Sequence, residues 1–181
     1  ENFGRVQQDL DEDGYRALIS YQLGATKAVC DVVSVTLDYV KPHGALYNQA
    51  AVDKDLADIV VSEIKRFDPS LKIMGLSGGH LVKAANAHDM QVISEVFADR
   101  NYENDGSLVS RTKDNALITD PKEASRHALE MITEGVVTSV DGKKVPVEAQ
   151  SICLHGDSEH AVAFAKSIKE QLQQQGIEIS A

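Results

Sequence analysis

The sequence predicts an α/β fold built from parallel βα units, and three observations lead to this prediction. Short apolar stretches typical of buried strands alternate with amphipathic stretches typical of helices. Most connections between them are short, which favours parallel strands joined by right-handed crossovers. No repeat, low-complexity stretch or linker divides the 181 residues, so we expect a single (β/α) domain over residues 1–181. These units are compatible with an open doubly wound sheet and with part of a barrel.

Each element is predicted from its local pattern. The first helix begins in the acidic run at residues 9–12, and its apolar residues recur at three- and four-residue spacing from Tyr15 to Val29. Further helices are predicted after Asp53, after the Ser77–His80 loop, from Pro121 to about Glu134, and over residues 158–175. Core strands are predicted over residues 35–41, 71–76, 92–97 and 151–154, with a hairpin over residues 136–147 around Asp141-Gly142.

Composition and charge exclude several classes of partner. The formal charge is −10, so neither nucleic acid nor an anionic membrane is an expected partner. No apolar run approaches the ~20 residues needed to span a bilayer, and the first residues are too polar for a signal peptide. Cys30 and Cys153 lie in apolar stretches and are interpreted as small buried hydrophobic residues. We therefore expect a cytoplasmic protein.

Polar side chains follow four predicted strands at the point where each strand ends. In a parallel sheet the carboxyl ends of the strands lie at one edge, so we expect these side chains to converge on one pocket. The four clusters are Lys41, His43 and Asn48; Ser77 and His80; Glu95, Asp99 and Arg100; and His155 and Asp157.

The two histidines at strand ends are the main candidates for chemistry. His43, between Pro42 and Gly44, suits a general acid or base, a metal ligand or a hydrogen-bond donor to a carbonyl, and equally a histidine that stabilises a turn. His155 directly follows an apolar strand, which favours function. Asp157 either accepts a bond from a histidine or caps the next helix, and the cap is the favoured interpretation.

The segment after the third strand carries the arginines. Arg100 and Arg111 suit bidentate binding of a substrate carboxylate; alternatively Asp99 and Arg100 pair with other side chains. The long loop over residues 99–120 has the length of a lid or binding loop, with a plain surface excursion as the alternative.

The remaining candidates receive no role. The Ser77–His80 loop lacks the Lys-Ser/Thr pair of a phosphate-binding P-loop and is interpreted as a helix start. No established metal-ligand spacing is present, so a metal site is left open. The other histidines, His88, His127 and His160, are expected on helix surfaces. The two N-terminal tyrosines, Tyr15 and Tyr21, are expected in the core or in helix packing.

Several segments resemble one family. Residues 40–48, Val-Lys-Pro-His-Gly-Ala-Leu-Tyr-Asn, resemble the signature of the LamB/YcsF lactam-utilisation family. Residues 2–5 and 21–25, residues 95–102 with 106–111, and residues 152–157 are similar to further family segments, in the same order. The resemblance implies an irregular (β/α) barrel of the glycoside hydrolase and deacetylase type. Family members carry further βα units upstream, so it also implies that this chain supplies roughly the C-terminal two-thirds of such a barrel.

The resemblance also implies a function: ATP-dependent opening of the lactam ring of 5-oxoproline to L-glutamate, with Mg²⁺ and the partner subunits B and C. For that reaction, the chemistry of the side chains suggests that Lys41 and His43 polarise or protonate the lactam oxygen, and that His155 with Asp157 moves a proton or orients water. The implied substrate-binding residues are Asn48, Glu95, Asp99, Arg100, Tyr102 and Arg111. The alternatives are a metal-dependent amide hydrolase or deacetylase, and a non-catalytic binding subunit. The sequence leaves the oligomeric state open, a homo-oligomer included.

Overall fold

The computed structural model describes residues 4–156 and 161–180. The chain divides into two compact units, Glu1–Ile93 and Ser94–Ala181. The described helices are α1 Glu12–Val32, α2 Gly44–Val52, α3 Lys54–Phe67, α4 His80–Ala87, α5 Pro121–Thr133 and α6 Ala161–Gln174. The described strands are β1 Tyr39–Val40, β2 Lys72–Leu76, β3 Val92–Phe97, β4 Val136–Thr138, β5 Lys144–Pro146 and β6 Ser151–Cys153. None of the helices in this part of the chain is both long and apolar enough to cross a bilayer.

The first unit is a layer of helices over a pair of parallel strands. Asp11 caps the N-terminus of α1, and its side chain accepts a hydrogen bond from the Gly14 N–H at 2.8 Å. One face of α1 buries Tyr15, Ile19 and Leu23, and this face packs with α3 in the main core cluster. Beneath the helices β1 and β2 pair in parallel, with the Cα atom of Tyr39 opposite that of Lys72.

A buried carboxylate also joins α1 to α3. The Glu63 side chain is fully buried, accepts hydrogen bonds from the Ser20 hydroxyl and the Arg66 guanidinium, and lies 3.5 Å from Arg16. These partners, Arg66 first, outweigh the effect of burial and lower the pKa of Glu63 to about 2. The carboxylate is therefore charged at neutral pH and holds the two helices together from inside.

The second unit pairs β3 with β6 in parallel and packs α5 against α6. Asp120 caps α5, and Pro121 occupies its first turn. Strands β4 and β5 form an antiparallel hairpin. Glu130 on α5 fixes this hairpin, because its carboxylate accepts bonds from the Thr138 hydroxyl at 2.6 Å and from the Lys144 ammonium.

The α/β fold with parallel strands is confirmed, and so are the hairpin and the helices after Asp53, at residue 80 and at Pro121. Two predictions of extent were wrong. The first strand contains only Tyr39 and Val40: a turn at residues 33–34, with the φ of Ser34 at 56°, follows α1, and residues 35–38 are not part of a strand. Helix α2 was missed: Pro42 and Gly44 suggested a break, but Tyr47, Ala50 and Ala51 are buried at helical spacing.

Two predictions of burial were also wrong. His127 is 4% exposed and packs inside the second unit, and Tyr21 is 76% exposed on the surface of α1. His88 lies at the end of α4, and its ring is 2.8 Å from the Asp58 carboxylate. The predicted start of the last helix at residue 158 and the surface role of His160 lie outside the described residues. The single domain over residues 1–181 stays a prediction.

Candidate active site

The candidate active site lies where β3 and β6 end in the second unit. The last paired residues of these strands are Phe97 and Cys153, which lie opposite each other. Asp99 and His155 each follow two residues later, so the parallel register brings them together. The His155 Nδ1 atom lies 2.8 Å from Asp99 Oδ2, and the His155 main-chain N–H donates to the same oxygen at 3.1 Å.

The surroundings of Asp99 keep it charged. The residue is 6% exposed, and burial by itself raises its pKa, but the hydrogen bonds and charge of His155 outweigh burial and hold the pKa below its usual value. Its other oxygen, Oδ1, is buried and has no hydrogen-bond partner within residues 4–156 and 161–180. This oxygen is a buried acceptor that the described residues leave unused.

Asp99 also determines which tautomer of the His155 imidazole is favoured. A carboxylate at Nδ1 favours the tautomer with the proton on Nδ1, which leaves Nε2 with a lone pair. The Phe97 ring stacks against the imidazole, with centroids 5.7 Å apart and planes at 26°. With 27% of its side chain exposed, His155 can act as a proton acceptor toward a ligand.

Two further polar side chains, those of Glu95 and Tyr102, lie near the end of β3. Both are buried, at 2% and 0% exposure. The Tyr102 hydroxyl accepts the Phe97 main-chain N–H at 2.7 Å, and burial, with the Glu95 charge acting in the same direction, raises the pKa of the phenol. Tyr102 thus stays neutral, and its hydroxyl supports the end of β3. Glu95 lies buried within β3, two residues before Phe97.

The two arginines differ in their surroundings. Arg100 is 4% exposed, and its guanidinium donates to the carbonyl oxygens of Val109 at 2.5 Å and Ala116 at 3.3 Å. Burial, with the charge of Arg111 next, lowers the pKa of Arg100. Arg111 is exposed. Arg100 therefore shapes the loop around it, and Arg111 is the arginine of the pair that faces solvent.

The long loop after Arg100 is fixed in several places. Two short antiparallel bridges, Arg100 with Leu117 and Tyr102 with Leu108, fold it back on itself. Its Asn104 amide donates to the Asp141 carboxylate at 2.7 Å, which ties the loop to the β4–β5 hairpin. The predicted role as a lid or binding loop stays a prediction.

In the first unit the predicted residues lie around the start of α2. Lys41 is exposed, with its ammonium 5.4 Å from the centre of the Tyr47 ring. His43 is exposed at the N-cap position of α2 and makes no side-chain capping bond. The Asn48 amide donates back to the Gly44 carbonyl at 3.1 Å, within its own helix.

A close backbone contact holds the chain over this helix start. The Ala45 N–H donates to the Gly4 carbonyl oxygen at 2.7 Å. Gly44 has a φ of +60°, and a Cβ on it would lie 2.3 Å from that oxygen. A side chain at Gly44 is therefore incompatible with this contact.

The predicted convergence is shown only within the second unit, where Asp99 and His155 meet. The roles of Lys41, His43 and Asn48, and of the Ser77–His80 cluster, stay predictions. Asp157 lies outside the described residues. Among the residues that the structure describes, no three His, Cys, Asp or Glu side chains are grouped to hold a metal ion.

Sequence reasoning missed two contributors to this region. Phe97 was expected only as part of a strand, but its ring stacks on one face of the His155 imidazole. His127 packs edge-on against Tyr102, with ring centroids 5.7 Å apart. Its position was readable, since it lies at helical spacing with the buried Ala124, Ala128 and Met131.

The parallel βα fold with a polar site at its strand ends defines an α/β protein of the barrel class. The crystal structure of a lactam utilization protein from Thermus thermophilus superimposes with a TM-score of 0.89 at 37% identity, covering 99% of this chain and 72% of that one. The LamB/YcsF family profile matches residues 1–181, and the chain belongs to this family.

Curated relatives give a more specific comparison. A protein named as the A subunit of 5-oxoprolinase, from Histophilus somni (strain 129Pt), is 54% identical over 177 residues, which are 98% of this chain and 72% of that protein. One of the same name from Haemophilus influenzae (strain PittEE) is 50% identical over 181 residues, covering all of this chain and 74% of that protein. The chain is thus similar over its whole length to about three quarters of these proteins.

Proposed function

We propose that this chain is the A subunit of an ATP-dependent 5-oxoprolinase. The reaction opens the lactam ring of 5-oxoproline with one water to give L-glutamate, while a second water hydrolyses ATP to ADP and phosphate. Subunits B and C complete the assembly, and we place it in the cytoplasm, where ATP is available. The names of relatives 50–54% identical to this chain support the assignment.

The observation that carries the proposal is the Asp99–His155 pair. Opening an unstrained amide requires water to lose a proton as it attacks, and an imidazole with a free Nε2 is a suitable base at neutral pH. Asp99 holds Nδ1 at 2.8 Å and stabilises the imidazolium that forms. The buried Asp99 Oδ1 is an acceptor for a donor of the substrate, such as the lactam N–H.

ATP makes the lactam carbonyl a better electrophile. The lactam oxygen attacks the terminal phosphorus of ATP. The bond between this phosphorus and the ADP oxygen breaks, and an O-phosphorylated lactam forms. Water then adds to the activated carbon and gives its proton to His155. The carbon–nitrogen bond breaks, the nitrogen takes a proton, and an acyl phosphate results, which a second water converts to the carboxylate and phosphate.

The other residues take binding roles in this proposal. Arg111, which is exposed, binds the carboxylate of 5-oxoproline, and Arg100 shapes the loop that carries it. Glu95 and Tyr102 line the buried side of the site. Lys41 and His43 polarise the lactam carbonyl at its oxygen. Because the described residues group no three metal-ligating side chains, we assign no ligand of the Mg²⁺ that accompanies ATP to this chain.

The test is ATP-dependent release of glutamate by the chain reconstituted with subunits B and C. Asp99→Asn leaves the shape of the site but removes the charge that stabilises an imidazolium, so we expect turnover to fall by about 10²–10⁴-fold. Asp105→Asn is the matched control, since Asp105 is exposed and its hydrogen bonds to described residues go to Ser107 in its own turn. His43→Ala in the same assay tests the role given to His43.

The outcomes separate the alternatives. Turnover of Asp99→Asn within twofold of the control would remove the Asp99–His155 pair from the mechanism, and unchanged turnover of His43→Ala would do the same for His43. Glutamate formed without ATP by a protein holding a stoichiometric divalent ion would replace the proposal with a metal-dependent amide hydrolase.

A further inference from the structure

His127 is a buried histidine to which the proposed reaction gives no role. It lies on α5, is 4% exposed, and neither of its ring nitrogens has a hydrogen-bond partner within residues 4–156 and 161–180. A neutral imidazole always carries one N–H donor and one acceptor nitrogen. A buried donor without a full partner costs free energy, which a leucine of similar size would not incur. The presence of a polar ring at this position therefore calls for an explanation.

The His127 ring has two neighbours at the candidate active site. It meets the Tyr102 ring edge to face, with centroids 5.7 Å apart and planes at 81°. The second neighbour is the main-chain carbonyl of Ala98: burial, the larger effect, lowers the pKa of His127, and this carbonyl raises it in part, as an acceptor near a ring N–H does. Packing keeps α5 at this place, because Ala98 and Ala128 are both fully buried in one core cluster.

The Ala98 carbonyl belongs to the peptide group that carries Asp99. The chain is held on both sides of this peptide group. The Ala98 N–H donates to the Cys153 carbonyl at 3.3 Å, and the Asp99 carbonyl accepts the Ile118 N–H at 3.0 Å. A donor acting on the Ala98 carbonyl restricts the rotation of the peptide group between these two bonds. It thereby restricts the φ of Asp99 and the direction in which the carboxylate points.

We propose that His127 is a positioning residue for Asp99 and that its ring N–H acts on the Ala98 carbonyl. The catalytic consequence rests on the proposed function, whereas the effect on Asp99 belongs to the second unit of this chain alone. The Tyr102 ring keeps the imidazole in place from the other side. His127 itself touches neither the substrate nor the reacting atoms in this proposal.

The contact between Asp99 and His155 makes the proposal measurable. Asp99 Oδ2 accepts both the His155 ring, at 2.8 Å from Nδ1, and the His155 main-chain N–H at 3.1 Å. A carboxylate that turns away lengthens both bonds at once. The share of His155 with its proton on Nδ1 then falls, and the His155 amide exchanges its hydrogen faster.

The variants separate the N–H donor from the bulk of the ring. His127→Phe keeps a ring beside Tyr102 and removes the donor, His127→Leu removes both, and His127→Gln retains an N–H donor. Ser125→Ala is the matched control on the same helix. Ser125 is buried and bonds to the Pro121 carbonyl at 2.9 Å and the Ser167 hydroxyl at 2.8 Å, so its loss weakens α5 through other contacts.

The first measurement is NMR of the chain alone, labelled with ¹⁵N, with the His155→Ala spectrum identifying the His155 signals. We expect the His155 amide to exchange about tenfold faster in His127→Phe and His127→Leu, with a smaller share of Nδ1–H. His127→Gln and Ser125→Ala should stay within about threefold of the wild type. In the assembly with subunits B and C, the two donor-free variants should lose about tenfold in kcat, with the KM for 5-oxoproline within about twofold.

Either donor-free variant that folds is sufficient for the decision. Wild-type exchange and a wild-type Nδ1 signal of His155 in that variant overturn the proposal. An equal loss in His127→Gln or in Ser125→Ala also overturns it, since the donor would then not be the cause, and so does unchanged kcat in an active assembly. An assembly that releases no glutamate would overturn the proposed function, while the spectra of the chain alone still decide the role of His127.

Discussion

Replacing Gly44 with alanine tests the close backbone contact at the start of α2. At a φ of +60° an L-residue carries a strain of about 1–2 kcal/mol. The new Cβ would lie 2.3 Å from the Gly4 carbonyl oxygen, so the Gly4 segment must move away and the Ala45 N–H loses its partner. Losing that hydrogen bond costs about 0.5–1.5 kcal/mol more. We expect a total destabilisation of about 1.5–3.5 kcal/mol.

The first unit offers a control that separates strain from collision. Gly78 has a φ of +74°, and a Cβ there would meet nothing within 4 Å. Gly78→Ala should therefore cost only the strain of about 1–2 kcal/mol. Urea unfolding at neutral pH compares the two variants. With a slope of about 2 kcal/mol per molar urea, an extra 1 kcal/mol lowers the midpoint by about 0.5 M.

Hydrogen exchange gives an independent readout. The Ala45 amide should exchange faster in Gly44→Ala and remain protected in Gly78→Ala. Equal midpoints for the two variants, together with a protected Ala45 amide in both, would refute the reasoning that the Gly4 carbonyl occupies the space beside Gly44.

Two further predictions concern pH. The Glu63 pKa of about 2 lies below its ordinary value of 4.5, so this carboxylate stabilises the fold above about pH 4.5 and loses its effect as the pH falls toward 2. Glu63→Gln should therefore flatten the plot of urea midpoint against pH between these two values. Asp55→Asn, at an exposed carboxylate, is the control. Burial lowers the pKa of His127 from 6.5, so the folded state resists protonation and the free energy of unfolding should decline as the pH falls below about 6.5. His127→Leu should reduce the slope of the urea midpoint against pH in this range. A slope identical to that of the wild type would contradict this prediction.

The sequence was sufficient to predict which side chains of the candidate site lie together where strand register decides their positions. The order of apolar and polar residues predicted that strand-end side chains such as Asp99 and His155 converge. That their two strands are neighbours with equal offsets, which brings these two side chains into contact, came from the structure. The fold of residues 100–118 could not be predicted in this way. Arg100 binds the carbonyl oxygens of Val109 and Ala116, contacts that depend on how a long loop closes.

Local signals misled where tertiary contacts override them. Pro42 and Gly44 suggest a break in the strand, but the Gly4 carbonyl accepts the Ala45 N–H, one of the N–H groups that the first turn of α2 leaves without a partner inside the helix, and a helix begins there. His127 was placed on the surface because histidine is polar, although its spacing matches the buried face of α5. In both cases a partner distant in sequence decides the outcome.

The double contact between Asp99 and His155 forms only when β3 and β6 pair in the correct register. One carboxylate oxygen binds both the ring and the main-chain N–H of His155, so it fixes the position of the residue as well as the orientation of its ring. A one-residue slip of β6 against β3 would turn every side chain of β6 to the opposite face and remove both bonds at once. Chains with misaligned strands would therefore be inactive, so activity per molecule would report the fraction of chains that have folded in the correct register.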